Sequence, residues 1–97
     1  MARDKHFVTL GDAINEFLER NNLQSKINEV KLAETWESLV GKVIKSHTSE
    51  IYIKEKTLYV KVDSSVVRQE INFMRRRLAE KINKAFNSEM IEQIIVL

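Results

Sequence analysis

The segment from Trp36 to Ile71 constrains the fold most, because its hydrophobic pattern changes period twice without a linker. Apolar residues at helical spacing end at Gly41, which can adopt the left-handed conformation that closes a helix. From Thr48 apolar and polar residues alternate, as in a β-hairpin. Ser64 or Ser65 then caps a further helix. The segment therefore predicts a helix, a hairpin and another helix in direct succession.

The hairpin register follows from its apolar residues. Pairing Ile53 with Leu58 gathers the apolar side chains of both strands on one face. The other face then carries two cross-strand pairs, Tyr52 with Tyr59 and Glu50 with Lys61. The turn is either the dipeptide Glu55-Lys56 or a four-residue loop from Lys54 to Thr57, since a two-residue primed turn prefers glycine or asparagine.

Two amphipathic helices precede the hairpin. Thr9 and Asp12 form a capping pair for the first, which ends at Asn21-Asn22. The second begins near Ser25 and ends at Gly41, and Val43-Ile44 add one more turn. The apolar residues predicted to be buried are Leu10, Ala13, Ile14, Phe17 and Leu18 in the first helix, and Ile27, Val30, Ala33, Trp36, Leu39 and Val40 in the second.

After the hairpin, the pattern predicts one long helix that ends near Asn87-Ser88. Its apolar stripe comprises Val67, Ile71, Met74, Leu78, Ile82 and Phe86. The β-branched segment from Ile91 to Leu97 forms a last strand, which a right-handed crossover lays parallel to the second strand. The order α-α-β-β-α-β predicts an α+β fold, with residues 1–97 as a single domain and the helices on one face of a small three-stranded mixed sheet. The predicted core comprises Phe17, Trp36, Ile51, Ile53, Leu58, Val60, Met74, Leu78 and Phe86.

Composition argues against several classes of function. The chain has no cysteine, and no apolar run approaches the ~18 residues of a membrane span. The start at Met1 to His6 has no hydrophobic segment after it, so we expect a cytoplasmic protein without membrane contact. Neither His6 nor His47 belongs to a metal-ligand motif, and neither Gly11 nor Gly41 to a phosphate-binding loop. We therefore expect no enzyme activity, no cofactor, no metal site and no small-molecule substrate.

Charge is distributed unevenly along the chain. Residues 1–41 have a balance of −2 and residues 42–97 a balance of +4, within a net charge of +2. Six cations lie on the third predicted helix: Arg68, Arg75, Arg76, Arg77, Lys81 and Lys84. They predict a surface that contacts the phosphates of nucleic acid. The alternative is a solvated helix face, whose cations in the latter half complement the helix dipole.

The open face of the predicted sheet is a second candidate nucleic-acid site. Tyr52 and Tyr59 lie there beside Lys54 and Lys61, an arrangement on which unpaired bases can stack. A cross-strand tyrosine pair also stabilises a hairpin without any ligand, and this is the reading we prefer. Trp36, on an apolar helix face, is interpreted as a core residue rather than a recognition residue.

Several short motifs occur together in a specific order: Leu10-Gly11-Asp12-Ala13-Ile14, Trp36 with Val40-Gly41, Ser46-His47-Thr48, Leu58-Tyr59-Val60 and the helix start from Ser64 to Ile71. In this order they resemble the DciA-like family of bacterial domains, whose best-known member loads the replicative helicase. The resemblance implies a fold similar to the K-homology domain, DNA binding and a helicase partner. The chain lacks the Gly-x-x-Gly loop of true K-homology domains, has Lys56 where the family often has glycine, and lacks the extensions of longer members.

These observations and the resemblance predict a non-enzymatic nucleic-acid-binding accessory protein that assists helicase loading in DNA replication. Its partners would be single-stranded or duplex DNA and the replicative helicase, with RNA left open. The alternatives are a protein–protein adaptor that does not bind nucleic acid and an RNA-binding module.

Overall fold

The chain forms five helices and three strands within the residues that the computed structural model describes, 9–20 and 23–97. The helices are α1 (Leu10–Arg20), α2 (Leu23–Val40), α3 (Lys42–Ser46), α4 (Ser65–Phe73) and α5 (Arg75–Phe86), and the strands are β1 (Thr48–Lys54), β2 (Thr57–Val62) and β3 (Gln93–Val96). This confirms the α+β class. The short α3 is the extra turn predicted at Val43-Ile44, whereas the division of the third predicted helix into α4 and α5 was not expected.

The hairpin has the predicted register. Ile53 pairs with Leu58, which sets Tyr52 opposite Tyr59. Glu55 and Lys56 close the hairpin as a two-residue turn, with φ angles of 50° and 62°. Of the two predicted loops the shorter one forms, because positive φ at both central positions gives the twist that joins antiparallel strands.

The last strand, β3, pairs in parallel with β2, so that β2 is the central strand of a mixed sheet. It is shorter than the predicted Ile91–Leu97 strand. The reason is that the Asn83 side chain, rather than β2, bonds the backbone of Ile91: its Nδ2 donates to the Ile91 oxygen (2.8 Å) and its Oδ1 accepts from the Ile91 N–H (2.9 Å). Asn83 thereby fixes the chain where it enters β3.

The prediction of one continuous third helix was wrong, because the helical hydrogen bonding is interrupted at Met74. Met74 has φ −108° and ψ 15°. Its N–H donates to Ile71 three residues earlier (3.0 Å), and its oxygen accepts the first bond of α5 from Leu78 (2.7 Å). The apolar spacing continues through this single residue, so periodicity alone does not reveal the break.

The core lies between the sheet and the helices on one of its faces, as predicted. Its buried residues are Leu32, Trp36, Leu39, Ile44, Leu58, Val60, Val62, Val67, Ile71, Leu78, Ile82, Ile91 and Ile94. Trp36 is 2% exposed, and its Nε1–H donates to Thr48 Oγ1 (3.0 Å), which confirms it as a core residue. Four other members of the predicted core, Ile51, Ile53, Met74 and Phe86, are half-buried against this cluster.

The prediction that Phe17 belongs to the core was wrong, since the residue is 53% exposed. Ile27, Val30 and Ala33 of α2 are also exposed rather than buried. The cause is the position of α1, which packs against α2 instead of the sheet. The molecule is accordingly elongated, with a radius of gyration of 16.1 Å, against about 12–13 Å for a compact domain of this length. The side chain of Leu18 and the predicted helix end at Asn21-Asn22 lie outside the described residues.

The second helix also protects the edge of the sheet. Ser25 Oγ donates to the Ile53 oxygen (3.4 Å), and the Ile53 N–H donates to Glu29 Oε2 (3.1 Å). Because β1 is an edge strand, these bonds occupy backbone groups that another strand would otherwise pair with.

Candidate nucleic-acid interface

The structure places the two predicted basic groups on opposite sides of the sheet. Five of the helix cations lie on α4 and α5 before the last turn of α5, on the side that carries the helices, and Lys84 lies in that last turn. Tyr52, Tyr59, Lys54 and Lys61 point to the other face, away from the buried residues of β2. The two groups therefore form separate candidate surfaces.

On the open sheet face, the rings of Tyr52 and Tyr59 stack on each other. Their centroids are 4.8 Å apart and their planes are inclined by 12°. Ile95 of β3 continues this row, and all three side chains are half-buried. Each tyrosine ring thus already covers one face of its partner. Lys54 and Lys61 are exposed in the rows on either side, with Glu50 opposite Lys61.

The three consecutive arginines occupy the first turn of α5. The break at Met74 puts Arg75, Arg76 and Arg77 at this position, where the backbone N–H groups have no partner within the helix. All three side chains are exposed, and within the described residues no carboxylate oxygen lies within 4.0 Å of their guanidinium groups. Side-chain cations, amide dipoles and the positive helix end therefore combine at one place.

This position contradicts the dipole explanation for the arginines. Cations complement a helix dipole at its C-terminal end and oppose it at its N-terminal end. Lys84, in the last turn of α5, fits that explanation, but the arginines have the opposite relation to the helix. Their placement is unfavourable for helix stability, so it requires another reason.

Two of the predicted cations are engaged in holding the fold. The Arg68 side chain is half-buried and its Nη2 donates to the oxygens of Val62 (3.5 Å) and Leu97 (3.4 Å) beside the ends of β2 and β3. Lys81 Nζ donates to the Leu39 oxygen (3.0 Å) near the C-terminal end of α2. The remaining helix cations, the arginines and Lys84, have no such bond among the described residues.

A groove of about 600 Å³ opens beside the arginines, between α5 and the outer edge of β3. Arg75 and Arg76 line it together with Asn72 and Phe73 from the end of α4. Phe73 is 84% exposed, and sequence reasoning did not select it. The signal was nonetheless present, since Phe73 is an aromatic residue off the apolar stripe and two positions before the arginine run.

His47, the histidine that the structure describes, pairs with an aspartate at the open end of the hairpin. His47 Nδ1 donates to Asp63 Oδ1 (2.8 Å), and the Asp63 N–H donates to the His47 oxygen (3.0 Å), so this pair joins the open ends of the hairpin. His6 lies outside the described residues. Across residues 9–20 and 23–97, no three histidine, cysteine, aspartate or glutamate side chains are placed to hold a metal ion, and no helix is long and apolar enough to cross a membrane.

Ser64 caps α4, since its side-chain oxygen accepts a hydrogen bond from the Val67 N–H (3.2 Å).

Comparison with known proteins gives a family-level assignment. No solved structure matches the chain, so its likeness to the K-homology fold stays a prediction. A curated relative, the "UPF0232 protein" of Corynebacterium glutamicum (strain R), is 27% identical over 96 residues, which are 95% of this chain and 54% of the relative. The chain thus spans about half the length of that relative. The model of the family described as "Dna[CI] antecedent, DciA" matches residues 9–96, nearly the whole sequence. The chain belongs to the DciA family.

Proposed function

We propose that this chain is a non-enzymatic, cytoplasmic nucleic-acid-binding protein that assists loading of the replicative helicase. Membership of the DciA family supports the connection with DNA replication. The single observation that carries nucleic-acid binding is the cluster of Arg75, Arg76 and Arg77, which we call the arginine cluster. In this proposal residues 1–97 act as one domain.

The physical argument is that the three charges have no close ion-pair partner. An exposed cation is ordinarily neutral for stability, but three at the positive end of a helix repel one another and the helix dipole. No carboxylate oxygen among the described residues lies within 4.0 Å of them. A polyanion would supply the missing negative charge, and binding would release its condensed counterions. The contacts go to phosphates, so the arginine cluster predicts affinity without strong sequence preference.

The test compares two charge-reversal variants of equal net charge. One carries Arg75→Glu/Arg76→Glu/Arg77→Glu. The control carries Lys26→Glu/Lys31→Glu/Lys42→Glu, at three exposed lysines on α2 and α3. Binding of a labelled single-stranded oligonucleotide is measured by fluorescence anisotropy over a range of salt concentrations, and circular dichroism verifies the fold.

The wild-type affinity should fall steeply with salt, and the arginine variant should lose most binding at moderate salt. If all three arginines contact phosphates, the slope of log affinity against log salt should become shallower by about 2, at ~0.7 per contact on single strands. The control should retain the wild-type slope. Equal losses in both variants would show that net charge, rather than the arginine cluster, determines binding.

A second candidate function, a protein–protein adaptor, is favoured by the exposed apolar side chains of α1 and the first half of α2. Leu10 is 78% and Val30 is 59% exposed. For a DciA-family protein the partner to test is purified replicative helicase. Helicase binding without any salt-dependent nucleic-acid binding would support the adaptor. An RNA-binding module would instead prefer oligouridylate to oligothymidylate in direct competition.

A further inference from the structure

Phe73 is the most exposed large apolar residue in the described part of the chain, at 84%. It ends α4 on the side away from Val67 and Ile71, which pack into the core. Burying a phenylalanine side chain stabilises a protein by about 1.5–3 kcal/mol, and this ring gains almost none of that stabilisation. Its contribution to folding therefore does not explain its presence.

The surroundings of Phe73 are polar and cationic at one end of the groove. Arg75 and Arg76 line this end, as does Asn72, whose side-chain amide has no hydrogen-bond partner among the described residues. The two other side-chain amides that line the groove are occupied, because Asn83 bonds Ile91 and Gln93 Nε2 donates to Thr57 Oγ1 (3.3 Å).

Further along α5 the charge is the opposite. Glu80, four residues after Arg76, lines the same groove with Glu92, and a neighbouring depression lined by Lys84 also contains Glu80 and Glu89. Repulsion by these carboxylates disfavours a phosphate backbone that follows the whole of α5. A polyanion would therefore be confined to the end formed by residues 72–76.

We propose that the ring of Phe73 stacks on an unpaired base of a single-stranded nucleic acid, while Arg75 and Arg76 bind the adjacent phosphates. This inference rests on the proposed function and specifies its ligand as single-stranded. An exposed ring offers a stacking surface to any base, and the bases of a duplex are already stacked on one another. The free amide of Asn72 is positioned in the same groove to bond a base edge.

The experiment substitutes Phe73 and measures affinity for oligothymidylate and for duplex DNA in parallel. Phe73→Ala removes the ring, Phe73→Leu keeps an apolar side chain without aromatic character, and Phe73→Trp enlarges the stacking surface. Val66→Ala is the matched control, because Val66 is also exposed on α4. Since Phe73 is exposed, these variants should fold like the wild type.

We expect Phe73→Ala and Phe73→Leu to weaken oligothymidylate binding by about 5- to 150-fold, the range found for loss of one base–aromatic stack. Duplex binding should change little, and Phe73→Trp should bind as well as the wild type or better. In that variant, oligothymidylate should also quench the emission of the introduced indole, whereas Trp36 is buried and serves as the internal background.

Several results would overturn the inference. If Phe73→Leu binds oligothymidylate like the wild type, hydrophobic contact rather than stacking is involved. If Phe73→Ala leaves nucleic-acid binding unchanged but abolishes binding of purified replicative helicase, Phe73 is a protein-docking residue. In both cases the arginine cluster can still bind nucleic acid, so the inference fails while the proposed function stands. Absence of any binding by the wild type would instead remove the proposed function itself.

Discussion

At the scale of single residues, the stacked rings of Tyr52 and Tyr59 can either bind bases or only stabilise the hairpin, and the two roles predict different effects of substitution. We predict that Tyr52→Ser/Tyr59→Ser lowers stability by roughly 0.2–1 kcal/mol of pair energy, plus a loss of strand propensity. Nucleic-acid binding should then decrease only in proportion to the folded fraction. Tyr52→Phe/Tyr59→Phe keeps the rings and is the control. A selective single-strand defect in the fully folded serine variant would make these tyrosines part of the binding site.

Lys56 gives a second prediction, from its backbone conformation. It has φ 62° in the hairpin turn, a value that costs a residue with a Cβ about 1–2 kcal/mol and glycine almost nothing. Lys56→Gly should therefore raise the free energy of unfolding by about 1 kcal/mol in chemical denaturation.

The control for this prediction is Lys56→Ala, which removes the same side chain. That side chain places Nζ 3.8 Å from Glu92 Oε2, an exposed contact of small energetic value. The alanine variant loses the contact without relaxing the backbone, so it should show no comparable gain. A destabilised Lys56→Gly variant would contradict the strain argument.

Individual residues were predictable from the sequence where a local rule decides the outcome. The capping role of Ser64, the pairing of Ile53 with Leu58 and the burial of Trp36 follow from such rules. The hydrogen bonds from Arg68 to the Leu97 oxygen and from Lys81 to the Leu39 oxygen were not predictable. The bonded residues are 29 and 42 positions apart in the sequence, so no local spacing rule connects them. A set of candidate binding cations chosen from the sequence therefore includes some, here Arg68 and Lys81, that stabilise the fold.

At the scale of elements, the junction of α2 and α3 depends on Gly41. Its φ of 95° and ψ of 166° lie in a region that only glycine adopts readily, and a Cβ there would meet no atom within 4 Å. Gly41→Ala should therefore cost about 1–3 kcal/mol through backbone strain alone.

The comparison for this variant is Gly11→Ala in the exposed α1. There a Cβ makes an ordinary 3.8 Å contact with Thr9 Oγ1, and alanine favours the helix by about 0.5–1 kcal/mol. Thermal melts of both variants check the opposite signs. Equal melting temperatures for Gly41→Ala and the wild type would show that the junction relaxes into another conformation.

The elements themselves were largely predictable, and the break at Met74 shows where prediction ends. Neither proline nor glycine marks it, and the apolar spacing on both sides is helical. The break separates Val67 and Ile71 on α4 from Leu78 and Ile82 on α5, so that each helix follows its own part of the core. Because this requirement is tertiary, it leaves no local signal, yet it determines that the arginine cluster begins a helix.

At the scale of the whole molecule, amphipathic patterning predicted the apolar faces but not what covers them. The apolar residues of α1 have the spacing of a buried helix, and those that the structure describes are exposed because α1 lies beside α2. Patterning likewise could not predict the groove that Phe73, Arg75 and Arg76 line, since the groove arises from the arrangement of α4, α5 and β3.

The most direct test of the account is a nuclear magnetic resonance titration of isotope-labelled protein with a short oligothymidylate. The account predicts that the largest amide shift changes occur in residues 72–77 and in the facing part of β3 at residues 93–94. Amides of the stacked tyrosines and of α1 should change little. Changes concentrated on the open sheet face, or no changes at protein concentrations where the fold is intact, would contradict the assignment of nucleic-acid binding to the start of α5.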